Sequence, residues 1–140
     1  MLVLVGATTA YAADPIYTKD GLALSGYDAV AYFTQGRAVK GSPQFEHQWS
    51  GVRWRFASVT DRDAFVASPE KYAPQFGGYC SYGVSRNRTV PGDPEAWKIV
   101  DGRLYLNFDK RVRAAWEKEL PEVIHVGESH WPAVLAEPAQ

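Results

Sequence analysis

Apolar positions along the chain change period several times, and each change marks an element. In FEHQWSGVRWRF, residues 45–56, apolar and polar residues alternate on both sides of Ser50-Gly51. Such alternation marks a half-buried strand, and glycine accepts the positive φ of a two-residue turn, so a β-hairpin is expected. Phe45, His47 and Trp49 then share one face of the first strand, and Val52, Trp54 and Phe56 one face of the second. WKIVDGRLYLNF, residues 97–108, repeats the pattern about Asp101-Gly102 and predicts a second hairpin with a type I′ turn. Upstream, KDGLALSGYDAVAYF (19–33) alternates around Asp20-Gly21 and Ser25-Gly26 and reads as short strands with tight turns.

Helical spacing takes over elsewhere. Ser58-Val59-Thr60-Asp61 can cap a short helix carrying Ala64, Phe65 and Val66, which Pro69 limits. Gly77-Gly78 gives a permissive backbone before Tyr79-Cys80-Ser81-Tyr82, where a helical turn can begin. In KRVRAAWEKEL, Val112, Ala115, Trp116 and Leu120 fall on one helical face, with Asn107 or Asp109 as the cap and Pro121 as the stop. A last amphipathic stretch, 122–135, brings Ile124, Trp131 and Leu135, and residues 136–140 read as a frayed tail. The expected fold class is α+β: antiparallel β-hairpins packed with several short helices, in one domain over residues 20–135.

Composition adds two constraints. Of 140 residues, 46% are hydrophobic, and the five Trp, eight Tyr and six Phe form an aromatic load that only a single well-filled core can absorb. The formal net charge is −1 with no Lys/Arg-rich block, which argues against nucleic acid as a partner. Arg86 and Arg88 could hold a small anion, although a solvated loop explains them as well. The first residues, MLVLVGATTAYAAD, form an apolar run closed by small residues. Ala10-Tyr11-Ala12 fits an A-x-A cleavage pattern, so residues 1–13 read as an export signal, and the lack of a Lys or Arg before the run suggests a true start upstream or a miscalled start codon. The expected location is periplasmic or secreted, with no membrane span after signal removal, because the run is too short to cross a bilayer.

Export would place the one cysteine, Cys80, in an oxidising compartment without a second thiol to pair with. It is a buried inert thiol, an intermolecular linker, a metal ligand or a reactive group. The chain holds no Gly-x-Ser-x-Gly elbow, phosphate loop, dinucleotide fingerprint or Cys-x-x-Cys, so a non-enzymatic role is favoured over a catalytic thiol. Thiolate and imidazole together suit copper or zinc, and Cys80 with His47, His125 and His130 would give four donors. His125 and His130, five residues apart, sit about 140° apart on a helix and cannot chelate from one turn. His47 stands out because its strand face also carries Phe45 and Trp49. Asp61 and Asp63 fall in the first turn of the predicted helix, where the macrodipole alone accounts for them.

GYDAVAYF, FEHQWSGVRWRFAS, DAFVASPEKYAPQFGGYCSYG and DPEAWKIVDGRLYLNF together resemble the YHS-domain family in its longer exported bacterial form, over about residues 20–135. The resemblance implies a small metal-binding or ligand-binding module. Ala31 and Ala57 stand where the short members of that family place cysteines, and His47-Gln48-Trp49 stands opposite the Tyr-His-Ser tripeptide, so Cys80 is the sole thiolate left. The expectation is therefore a transition metal, copper or zinc, on Cys80 and His47, or a small ligand there in a pocket of Tyr79, Tyr82, Trp54 and Tyr32. The alternative is a protein-interaction or accessory module whose cysteine is simply packed.

Overall fold

The computed structural model describes residues 13–136. The export-signal expectation for residues 1–13 and the frayed-tail expectation for 136–140 fall almost wholly outside this range.

The fold is α+β, as expected. Two short strands, β1 (Thr18–Lys19) and β2 (Leu22–Ala23), lead through a 3-10 turn (Leu24–Gly26) into a four-residue helix, α1 (Ala31–Thr34). The first hairpin follows as β3 (Ser42–Trp49) and β4 (Val52–Phe56). Next come α2 (Val59–Ala67), α3 (Pro69–Tyr72), a 3-10 segment (Gln75–Gly78) and α4 (Ser81–Ser85). The second hairpin is β5 (Asp93–Val100) with β6 (Arg103–Asn107), after which α5 (Lys110–Glu117), α6 (Glu122–His130) and a 3-10 turn (Ala133–Ala136) close the described chain.

Both hairpins turn where the sequence places them. Ser50-Gly51 and Asp101-Gly102 each hold two consecutive positive φ angles, the requirement of a type I′ turn. The first hairpin pairs His47 with Trp54 and Trp49 with Val52. It joins β2, which runs parallel to β4, in a sheet of order β1-β2-β4-β3, and β5 and β6 form a separate two-stranded sheet.

Apolar side chains gather in two clusters. The first holds Tyr32, Trp54, Phe56, Phe65, Leu104 and Leu106 between the sheets and α2. The second holds Phe76, Tyr79, Val84, Tyr105, Trp116, Val134 and Leu135 under α4, α5 and α6. Along α5 only Trp116 is buried, and Ala115, expected on the inner face, is exposed, because it sits about 100° round the helix from Trp116, outside the stripe that Val112 and Trp116 turn inward.

The stretch read as strands around GYDAVAYF departs from expectation at its second half. Asp28, fully buried, accepts hydrogen bonds from the backbone N–H groups of Val30 (2.9 Å) and Ala31 (3.1 Å), which starts α1 in place of a strand. Its second oxygen accepts from Ala57 N at 2.9 Å and ties this turn to the end of β4. Short polar side chains that bond their own backbone compete with a strand ladder, and here that local competition wins.

Asp61 also does more than meet the dipole of α2. Burial, a hydrogen bond to Asp28 and the Asp28 charge push its carboxyl from 3.8 up to about 6. The folded chain thus holds this proton more tightly than the unfolded chain does. The resulting stabilisation is whole below the unfolded value and is lost as pH rises through about 6. Asp61→Asn, neutral at every pH and still able to donate to Asp28, should raise the Tm at pH 7.5 and leave it nearly unchanged at pH 4. Thermal melts of both proteins at the two pH values check this, and an equal shift at both would refute it.

Candidate functional site

Cys80 sits at the N-terminal end of α4, in a bridge beside Leu106 of β6. Its backbone N–H donates to Val90 O (3.0 Å) and its carbonyl accepts from Val84 N (3.0 Å). The sulfur accepts from Gly83 N at 3.4 Å, a helix cap, and the thiol donates to Asn107 Oδ1 at 3.7 Å. Asn107, weighed as the cap of α5, instead spends its carboxamide oxygen on Cys80 and on Tyr82 N (3.1 Å), while Asp109 caps α5 by accepting from Val112 N at 2.7 Å. Cys80 is 1% exposed. Burial pushes its thiol up, against the opposing pull of the Gly83, Phe108 and Tyr82 N–H groups. A neutral, buried thiol is a poor nucleophile and a poor ligand, and its bonds tie α4 to β6.

His47 lies on β3, the edge strand of the larger sheet, with its ring 6.3 Å from that of Phe65 in an edge-on arrangement. The structure sets it among first-cluster residues and Cys80 between α4 and β6, and no histidine hydrogen-bonds the sulfur. His125 lies beside Glu122 (3.8 Å), and His130 Nδ1 is 3.0 Å from Val84 O, joining α6 to α4. Among the described residues no group of three or more His, Cys, Asp or Glu side chains is placed to hold a metal ion.

The four aromatic residues expected around the thiol are scattered. Tyr82 alone accompanies it, lining with Val90, Phe108 and Val112 an open apolar groove of about 270 Å³ above Cys80. Arg86 borders that groove, but its guanidinium lies over the Tyr82 ring at 4.3 Å and donates to the Tyr82 hydroxyl, which also bonds Glu119. Tyr79 packs against Tyr17 and Trp131 and donates from its hydroxyl to Asp14 O at 2.7 Å. Tyr32 is core: its hydroxyl donates to Pro94 O (2.9 Å) and its ring meets Trp97 edge-on.

Trp54 lines a different cavity, of about 330 Å³, which collects rings from both clusters. Trp49 and Trp54 come from the first hairpin, Phe76 from the Gln75–Gly78 segment and Trp131 from the end of α6. Trp54 is fixed by donating its indole N–H to Trp49 O at 3.1 Å. Phe76 is held at φ 55°, a left-handed angle a bulky residue rarely adopts, and is followed by Gly77 at φ 62°. Glu70 of α3 and the segment Pro15–Ile16 complete the wall. The sequence carried half of this site in the tryptophans of one hairpin; Phe76 and Trp131, 55 residues apart, gave no local sign of meeting at 5.8 Å between ring centroids.

Comparison of the chain with protein-family models, with curated proteins and with solved structures finds no match to any of them.

Proposed function

We propose that this chain is a non-enzymatic, exported, small-ligand-binding module of the YHS type, with its ligand in the aromatic cavity between the two clusters and its cysteine in a structural role. The observation that carries the reading is the convergence of Trp49, Trp54, Phe76 and Trp131 on one open cavity of about 330 Å³. Ligand sites are concave, mostly apolar and of about this size or larger, with a few polar groups to orient the ligand. The exported location rests on the sequence of residues 1–13, and the YHS assignment on the motifs quoted above.

A copper or zinc ion on Cys80 and His47 draws no support from this arrangement, because the two side chains have separate surroundings and the thiol is kept protonated by burial. A catalytic thiol lacks support for the same reasons: no imidazole touches the sulfur to take its proton.

Two measurements test the reading. Native protein treated with an aromatic disulfide reagent should leave Cys80 unmodified until denaturant is added, and rapid modification would overturn the structural role of the thiol. In NMR titrations with small organic cations, sugars and aromatic acids, at least one class should move the indole N–H signals of Trp49 and Trp131. Silence at both indoles toward all three classes would overturn the binding role.

A further inference from the structure

We infer that the ligand of the aromatic cavity is an organic cation carrying a quaternary ammonium group. This inference rests on the cavity being the binding site, and it adds the ligand's chemistry.

Charge at the cavity has one sign. Among the described residues Glu70 is the only ionisable side chain in its wall, and no Lys, Arg or His of that range lines it. Glu70 is exposed and takes part in none of the ion pairs among the described residues. A second depression shares Pro15, Ile16 and Ser50 with the first and brings Asp14 to the same rim, again without a cationic side chain. An anionic ligand would meet two carboxylates and no counter-charge. A cationic one would find both carboxylates as counter-charges and no like charge among the described residues.

The rings supply the second half of the recognition. Trp49 and Trp54 are inclined at 62° with centroids 5.6 Å apart, and Phe76 and Trp131 at 56° with centroids 5.8 Å apart. Trp54 and Phe76 are nearly fully buried by this packing, so the ring surface open to a ligand comes from Trp49 and Trp131, both half-buried. Aromatic faces carry negative quadrupole potential, tryptophan most of all, and attract a cation within about 6 Å. A trimethylammonium group suits such a wall because it has no N–H donor to leave unsatisfied against carbon. Other polar groups in the wall are few, Ser50 and Gln75 among them, which is enough to orient a small hydroxyl or ester tail.

The wall is also held in place before any ligand arrives. Tyr17 N donates to Gly77 O (2.9 Å), and the Tyr79 hydroxyl donates to Asp14 O, so the Asp14–Ile16 side of the cavity is bonded to the Phe76 side. A wall assembled in advance loses less entropy on binding.

The test compares choline with its uncharged isostere, 3,3-dimethylbutan-1-ol, by titration of tryptophan emission and by calorimetry. Choline should bind at least about tenfold more tightly than the isostere. Glu70→Gln should weaken choline several-fold and leave the isostere unchanged, and being exposed it should not disturb folding. Trp131→Leu, checked by circular dichroism for retained fold, should abolish the preference. Cosedimentation with phosphatidylcholine vesicles but not phosphatidylglycerol vesicles would identify a lipid headgroup as the source of the cation, and binding of free choline alone a soluble source. Equal affinity for choline and the isostere would overturn the inference and leave an apolar ligand site. Response to maltose or an aromatic acid without response to choline would overturn it too, with the binding role intact, whereas no response to any of these compounds would remove both.

Discussion

Gly77→Ala is expected to cost roughly 2–5 kcal/mol and to lower the Tm by about 10 °C, because two separate penalties fall on one methyl group. Gly77 has φ +62°, and an L-residue forced into that region loses about 1–2 kcal/mol. The added Cβ would also stand 2.0 Å from Pro15 O, with Pro15 C at 3.0 Å and Ile16 Cα at 3.2 Å. These are backbone atoms, so no rotamer change relieves the contact. The segment can retreat only by loosening the bonds from Tyr17 N to Gly77 O, from the Tyr79 hydroxyl to Asp14 O and from Ala13 N to Leu135 O. Gly102→Ala isolates the first penalty, since Gly102 has φ +75° with nothing within 4 Å of the new methyl. Chemical denaturation of both variants should place Gly77→Ala well below Gly102→Ala. Equal losses would mean that the approach of residues 15–16 to the Phe76 segment matters little, and the pre-built wall of the aromatic cavity would lose its support.

That comparison bears on what the sequence could disclose. The hairpins were legible because their information is local: period-2 alternation and two-residue turns closed by glycine need nothing from the rest of the chain. The helix after Ser58 was legible for the same reason, its cap and its stop lying within a dozen residues. Gly77-Gly78 predicts a permissive backbone, and Gly77 uses it, but its partner is a segment some sixty residues earlier to which no spacing points.

The same distinction separates the two halves of the expected site. Cys80 and His47 are each half of a sound ligand pair by chemistry, and their meeting depends wholly on tertiary placement. The fold sends His47 to a sheet edge against Phe65 and fastens Cys80 to β6 through Asn107. Trp54, expected in a pocket around the thiol, lines instead a cavity whose other rings are Trp49, Phe76 and Trp131. An aromatic-rich sequence thus announced rings in excess of what hairpin cores require. Where the surplus gathers was settled by a left-handed residue at 76 and by the return of α6.

Asp28→Ala should be the other severe substitution, costing roughly 3–5 kcal/mol, and its reason is a count of donors. The carboxylate receives three backbone N–H groups, from Val30, Ala31 and Ala57, and two of these bonds are fully buried. A methyl group accepts none of them, and each donor left buried without a partner costs about 1–3 kcal/mol. One effect runs the other way: Asp61 keeps the upward push of burial but loses the hydrogen bond and the charge of Asp28, so the variant loses less stability than wild type as pH rises through about 6. The net loss should therefore be greater at pH 4, where wild type keeps the shared proton, than at pH 7.5. Asp28→Asn keeps one oxygen for Val30 and Ala31 but turns an amide N–H₂ toward the Ala57 donor, so about half the loss is expected. Urea unfolding at the two pH values distinguishes these outcomes. If Asp28→Ala lost less than about 1 kcal/mol at both, the buried carboxylate would not be what joins α1 to the end of β4.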